Sequence, residues 1–192
     1  AAQAALEAKY GLDKPLSEQY VTYITDALHG DFGDSLKQRG RTVNSIITSK
    51  FVVSARVGGM AVLVSLVVGV TLGIIAAYRR GKFVDSLISV LSTMGIAVPS
   101  FVVCTLLLYF FGVKLKLLPT LGLTSSKHYI MPVAALSFYP TSYIMRLMRS
   151  SMLDVLGQDY MRTAKAKGLS EKISLFKHAL RNAILPVVTY LG

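Results

Sequence analysis

The sequence predicts an all-α, polytopic membrane protein. Three observations carry that expectation: long runs without charge, basic residues placed asymmetrically between them, and a hydrophobic content of 53% over 192 residues. Mean hydropathy of +0.52 exceeds that of an ordinary soluble domain, and the excess is gathered into a few runs instead of being spread at core periodicity. A soluble fold would have to bury these runs as helices apolar on every face, and a chain of this length offers too small a core for that.

The elements are taken in chain order. Residues 1–50 hold Tyr10, Leu12, Leu16, Tyr20, Tyr23, Ile24 and Leu28 among acids and lysines, with His29 to Gly33 (HGDFG) reading as a turn. This pattern predicts small amphipathic helices on the outer face of a membrane. Val57 to Tyr78 is 22 residues without a charge, about 33 Å as a helix, which matches a hydrocarbon core of about 30 Å. Gly58, Gly59, Gly69 and Gly73 in this run read as close-packing surfaces between helices, with ion or substrate contact as the alternative. Ser86 to Val113 is 28 residues without a charge, so tilt or an interfacial turn must absorb the excess length. Pro99, 14 residues into that run, should kink it near mid-membrane. Ser92, Thr93 and Ser100 beside it are candidate pathway hydroxyls, the competing reading being hydroxyls bonded back to their own helix. A third span is expected near 129–148, interrupted by Pro132 and Pro140 and flanked by Arg146, which can snorkel. Apolar sequence resumes at Ala183 as a truncated further span. With no opening Met and no signal-like segment before Tyr10, the sequence reads as an internal fragment.

Charge gives an orientation. Residues 1–50 balance six basic against six acidic side chains, whereas the loop Arg79 to Asp85 is net +2, the loop Lys114 to His128 net +3, and the stretch Arg146 to Asn182 net +5. Alternation across three spans puts the first and last of those three segments on one side, with eleven of the 21 basic residues against three in the loop opposite, which makes that side cytoplasmic. The surplus of +11 does not point to nucleic acid, because the aromatic residues lie away from the basic segment; anionic inner-leaflet lipid accounts for it more simply. His29, His128 and His178 are too scattered to argue for a metal site, and Cys104 alone in an apolar run reads as inert packing. No carboxylate lies within a complete span, which counts against a proton-coupled carrier. No phosphate-binding loop of the GxxxxGK[ST] type is present, so an enzyme is not expected and any energy source must be another polypeptide.

Between the third span and the fourth lies a basic, broken helical segment. Asp159 can cap a helix from Tyr160 to Lys167, ended by Gly168 in a left-handed position; Ser170 can cap a second helix with Glu171 in its first turn. Leu169, Ile173, Phe176 and Leu180 recur at spacings of four, three and four, forming an apolar stripe among Lys172, Lys177, His178 and Arg181. Ala164 and Ala166 flank the hinge with small side chains that permit close approach by another surface. The residues alone leave three readings open: a docking element for a cytoplasmic partner, an amphipathic segment lying on anionic lipid, and a solvated linker.

RTAKAKGL at 162–169 followed by HALRNAILPV at 178–187 resembles the dipeptide/oligopeptide/nickel branch of bacterial ABC-importer permeases. The general loop pattern of such permeases, Glu-Ala-Ala, three residues, then Gly, falls on Arg162, Thr163, Ala164 and Gly168. The chain departs from that pattern at the Glu and the first Ala, and again at His178, Leu180 and Arg181, where Ile, Leu and Pro are usual. KYGLDKPLSEQY at 9–20, HGDFGDSL at 29–36, RTV at 41–43, GIIAAYRRGKFVD at 73–85, VPSF at 98–101, LLPTLG at 117–122 and RLMRSSMLDVLGQDYMRTAKAKGL at 146–169 extend the resemblance over essentially the whole chain.

The resemblance implies a type I permease transmembrane fold lacking its first and last spans, in a multi-pass protein of the bacterial inner membrane. It implies an extracytoplasmic segment over 1–50, where a substrate-binding protein would dock or which would serve as a structural cap, and a permease domain over 51–192. Within that domain, 154–182 would be the ATPase-coupling loop, with Arg162, Thr163, Ala164, Gly168, Leu169, Ile173 and Phe176 as coupling residues and Ser92, Thr93, Pro99 and Ser100 as pathway candidates. The implied partners are a second homologous permease, two cytoplasmic ATPases, the binding protein and lipid. ATP and Mg would be used by those partners, and no cofactor bound by this chain. Oligopeptides are favoured as substrate over dipeptides because HGDFGDS and the 114–128 loop look more like oligopeptide permeases. Nickel or other metal chelates are alternatives within the same architecture, and a secondary carrier or channel is the alternative of another class.

Overall fold

The computed structural model describes residues 11–35, 37–38, 40–170 and 173–192. Tyr10, Leu36, Glu171 and Lys172, each used in the sequence reading, lie outside them. The chain divides into two compact units, Ala1–Ala55 and Arg56–Gly192.

In the first unit, helix α1 (Leu16–Leu28) starts after Pro15 and carries an exposed Lys14–Glu18 ion pair at 2.7 Å. None of its residues is buried. The turn expected at His29 to Gly33 is present, with Gly30 and Gly33 at positive φ. Asn44 clamps it: its Oδ1 accepts from the Phe32 N–H at 2.9 Å and its amide donates to the Gly30 carbonyl. An isolated antiparallel bridge joins Asp34 to Thr42.

Helix α2 (Val43–Tyr78, 36 residues) begins well before the uncharged run. Ser45, Thr48 and Ser49 bond to backbone carbonyls three or four residues earlier, which satisfies their hydroxyls without a partner helix. Among the described residues, α2 is the one helix long and apolar enough by itself to cross a membrane.

In the second unit, α5 (Lys127–Leu156) is the helix on which the others pack, and it continues through Pro132 and Pro140. Ala61, Ser65, Gly69, Gly73 and Ala77 recur every fourth residue on the buried face of α2. The approach is close. A Cβ at Gly69 would stand 2.9 Å from the Ile144 side chain, and one at Gly73 would stand 2.7 Å from Met148 and 2.8 Å from the Met145 carbonyl. Ser65 donates to the Ala61 carbonyl at 2.7 Å and the Ser137 carbonyl at 3.2 Å. Small residues thus allow backbone-scale contact between apolar helices, where side-chain burial gives little advantage over lipid. The packing role expected for Gly69 and Gly73 holds, but Gly58 and Gly59 have no neighbour within 4 Å of a Cβ.

The 86–113 run is two helices meeting at 102°, not one kinked helix: α3 (Phe83–Ala97), then α4 (Ser100–Leu107) continuing as a π-helical segment, Leu108–Lys114. The break follows from Pro99. Its ring excludes the helical conformation at the preceding residue, and Val98 is extended (φ −85°, ψ 121°), as is Pro99 itself (ψ 141°). The bent pair passes the length and apolarity requirement for a span only when taken together. Cys104 is exposed on α4 and packs no core.

The remaining elements are short: α6 (Asp159–Ala166), a π-helical segment (Ser174–Ala179), α7 (Leu180–Ala183) and α8 (Leu185–Leu191). Their buried residues Met161, Ala179, Ala183 and Val187 join Ala77 of α2 and Ile144, Met148 and Met152 of α5 in the main core cluster. Tyr190 stacks on Tyr143 with centroids 4.5 Å apart, fixing α8 to α5.

Candidate functional site: the basic segment after α5

The segment from Asp159 to Asn182 is anchored on one side and open on the other. Met161 and Ala164 face inward, as do Ser174 and Ala179, whereas Arg162, Thr163, Gly168, Leu169, Ile173 and Phe176 are all exposed. Phe176 exposes 60% of its surface, a large amount for an aromatic side chain beside an intact core. Six of the seven expected coupling residues therefore stand on the accessible surface.

Ala164 does not. It is buried within the chain's own packing, so the close approach expected there is made by this protein itself, and Ala166 alone of the hinge pair faces out. The cause is helical phase: Met161, three residues before Ala164, points the same way into the core. The boundaries also shift. Asp159 lies inside the first turn of α6 and pairs with Arg162 at 3.5 Å, both side chains being highly exposed. Gly168 takes the left-handed conformation (φ +76°), and the Leu169 N–H closes on the Ala164 carbonyl at 3.3 Å, the long bond of a glycine-terminated helix end. A Cβ at Gly168 would meet nothing within 4 Å. The Ser170 hydroxyl accepts from the Ile173 N–H at a long 3.4 Å.

The second helix of the segment is π-helical from Ser174 to Ala179 instead of regular α. The wider turn rotates the residues beyond it, so Leu180, the last member of the expected stripe, is half-buried against the main core while Ile173 and Phe176 stay outside. The Ser174 hydroxyl is buried without a hydrogen-bond partner, a local cost at this wide turn.

The pathway candidates separate into two groups. Ser92 is buried on the face of α3 that packs on α5, its hydroxyl donating to the Ser89 carbonyl at 2.9 Å; Thr93 donates to the same carbonyl at 2.9 Å but is exposed. A Cβ at Gly95, one turn on, would run into the Ser142 hydroxyl, which shows how tightly that face is closed. Pro99 and Ser100 instead line a cavity of about 430 Å³ with Ile96, Tyr139 and Pro140, so the break in α3–α4 faces the second proline of α5.

Two arrangements escape the sequence reading. Arg149 of α5 donates from Nε to Asp85 Oδ1 at 2.5 Å and from its terminal nitrogen to Oδ2 at 2.9 Å. The Gly81 N–H adds 2.9 Å to Oδ2 and the Ser89 hydroxyl 3.5 Å to Oδ1. Asp85 is buried, and it ties the loop before α3 to the far half of α5. The available signal was its isolation, since no other acid occurs between Val57 and Leu153. The second is a cleft lined by Tyr160, Lys177, His178, Arg181 and Asn182. Among the described residues no group of three His, Cys, Asp or Glu could hold a metal ion.

The family described as binding-protein-dependent transport system inner membrane component matches residues 69–192, from the glycine contact of α2 through the basic segment. The chain is 47% identical over 192 residues to the dipeptide transport system permease protein DppB of Bacillus subtilis (strain 168). It is 42% and 40% identical over 191 residues to the oligopeptide transport system permease proteins OppB of Haemophilus influenzae and Salmonella typhimurium. These alignments cover 98–100% of this chain but 62% of the length of each relative. On that match, the chain belongs to the family of inner membrane components of binding-protein-dependent transport systems.

Proposed function

We propose that the protein is the permease subunit of an ATP-driven importer of short peptides in a bacterial inner membrane, with its basic segment as the surface gripped by separate ATPase subunits. The observation that carries this reading is the two-sidedness of that segment. A face built into the main core can pass motion to α5, α2 and α8, and an exposed face bearing Leu169, Ile173 and Phe176 is available to a partner. In this reading a second homologous permease completes the passage, an extracytoplasmic binding protein delivers substrate, and ATP and Mg are used by the ATPases alone. The cavity at Pro99 and Ser100 is then the pathway candidate within this chain, and Ser92 is a packing residue.

Gly168→Val and Phe176→Asp test the grip. Neither site has a close neighbour that would make the substitution unfold the chain: Gly168 is open, and Phe176 is mostly exposed. Valine at the left-handed position costs at least about 1 kcal/mol, and aspartate puts a charge in the apolar patch. Both full-length variants should insert in the membrane, yet lose co-purification of the ATPases and the ATP turnover stimulated by loaded binding protein. Retention of both at wild-type levels would remove the segment from the coupling role. Ala164→Asp is not a clean test, because it damages the buried face.

For the substrate, the likeness of HGDFGDS and the 114–128 loop to oligopeptide permeases favours oligopeptides, while the 47% identity to a relative named for dipeptides favours those. Titrating the cognate binding protein with peptides of increasing length separates the two, and a preference for a nickel chelate would overturn both. Transport at full rate without ATP would instead favour a secondary carrier or channel.

A further inference from the structure

The cleft of about 260 Å³ between α6 and the π-helical segment has a composition that the coupling reading does not use. Lys177, His178 and Arg181 line it together with Tyr160 and Asn182, and no carboxylate is among the described lining residues. None of the three basic side chains makes an ion pair with another described residue. The Asn182 amide donates to the Tyr160 hydroxyl at 2.9 Å, which holds the ring in place and leaves the phenol's own proton to donate. A site offering two cations, an imidazole and a phenolic donor recognises an anion with several oxygens, and a guanidinium suits the planar pair of oxygens of a phosphodiester.

The surroundings select the kind of phosphate. One helical turn beyond Arg181 stands Leu185, and a further turn on stands Val188; both expose more than half of their surface. Basic cleft and bare apolar face thus succeed one another along one stretch of chain, in the order in which a phospholipid presents headgroup and acyl chain. We propose that this cleft binds the headgroup phosphate of an anionic phospholipid, its chains lying along α8. The leaflet rests on the cytoplasmic placement proposed above, where anionic lipid and basic pockets meet; headgroup retention itself needs neither ATP nor that placement.

The test uses the full-length permease purified with its partner subunits in detergent and titrated with fluorescent phosphatidylglycerol or phosphatidylcholine. Phosphatidylglycerol should bind several-fold more tightly. Lys177→Gln/Arg181→Gln should weaken it roughly 10- to 30-fold. Tyr160→Phe, which keeps the ring and its packing, should weaken it about threefold and guards against a misfolded double variant. Equal retention of the two lipids, or unchanged binding by both variants, would overturn the proposal. So would displacement of the lipid by inorganic phosphate as readily as by unlabelled phosphatidylglycerol, since the cleft would then be a free-anion site. Loss of the ATPases with lipid binding unchanged would assign the cleft to a protein carboxylate instead, whereas failure of the importer reading would leave lipid retention unaltered.

Discussion

Asp85 shows what a charge count misses. In the sequence it merely reduces the net charge of a basic loop; in the structure it accepts from Arg149 twice, from the Gly81 N–H and from Ser89. Removing one member of a pair this buried leaves the other without its partner, although Arg149 keeps 30% side-chain exposure and recovers some solvation. Asp85→Asn and Arg149→Gln should each lower the stability of the purified full-length protein by about 2 kcal/mol, read from thermal inactivation. The double variant should cost clearly less than the sum, because the interaction can be lost only once. An additive cycle would mean that the two residues act separately. The swap Asp85→Arg/Arg149→Asp should rescue only in part, since an arginine at 85 cannot accept from Gly81. By contrast Gly168 was legible from turn chemistry, and Gly69 and Gly73 only in part, since the same reading also took in Gly58 and Gly59, where a Cβ would meet no neighbour within 4 Å.

At the scale of elements, helices were readable wherever one residue type dictates the backbone. Pro99 announced a disruption, but its depth, a 102° break instead of a kink, depends on Val98 becoming extended as well and on α5 receiving both arms. The two π-helical segments carried no signal, since a widened turn is a compromise with tertiary packing and not a preference of the sequence LYFFGVK or SLFKHA. For the same reason Leu180 reads as a surface stripe residue and Ala164 as a contact surface, until core packing assigns their phase. The hydroxyls of Ser92 and Thr93 bond back to Ser89, the blander of the two readings. The contrast between the buried face of α3 and the cavity at the break makes a direct prediction. In a Cys104→Ala background, Ser100→Cys should react with a small water-soluble thiol reagent and Ser92→Cys should not. A reactive Ser92→Cys would mean that α3 separates from α5 in the working protein and that the passage runs between them.

For the whole molecule, composition conveys the medium and charge an expected orientation, while the number of crossings depends on how the bent pair and α5 are used. Only α2 qualifies alone as a span among the described residues; α3 with α4 and its π-helical extension qualifies as a pair, and at 102° such a pair is either a broken span or a re-entrant loop. The basic residues favour a crossing. If the pair crosses, and α5 crosses as the sequence leads one to expect although it does not itself meet that length and apolarity requirement, the loop at 79–82 shares a side with the segment after α5, and eleven basic residues face three across the membrane. If it re-enters, the loop at 114–128 with its three lysines joins the side of Arg79, Arg80 and Lys82, and the contrast that sets the orientation weakens. Lys82, Leu121 and Gln158 are exposed and lie in these three segments. In the Cys104→Ala background, Lys82→Cys and Gln158→Cys should be modified by a membrane-impermeant maleimide only in inside-out vesicles, and Leu121→Cys only in right-side-out ones. Modification of Lys82→Cys and Leu121→Cys from the same face would make α3–α4 re-entrant. The cavity at Pro99 and Ser100 would then open to one side only, and the route through this subunit would have to be sought along α2 and α5.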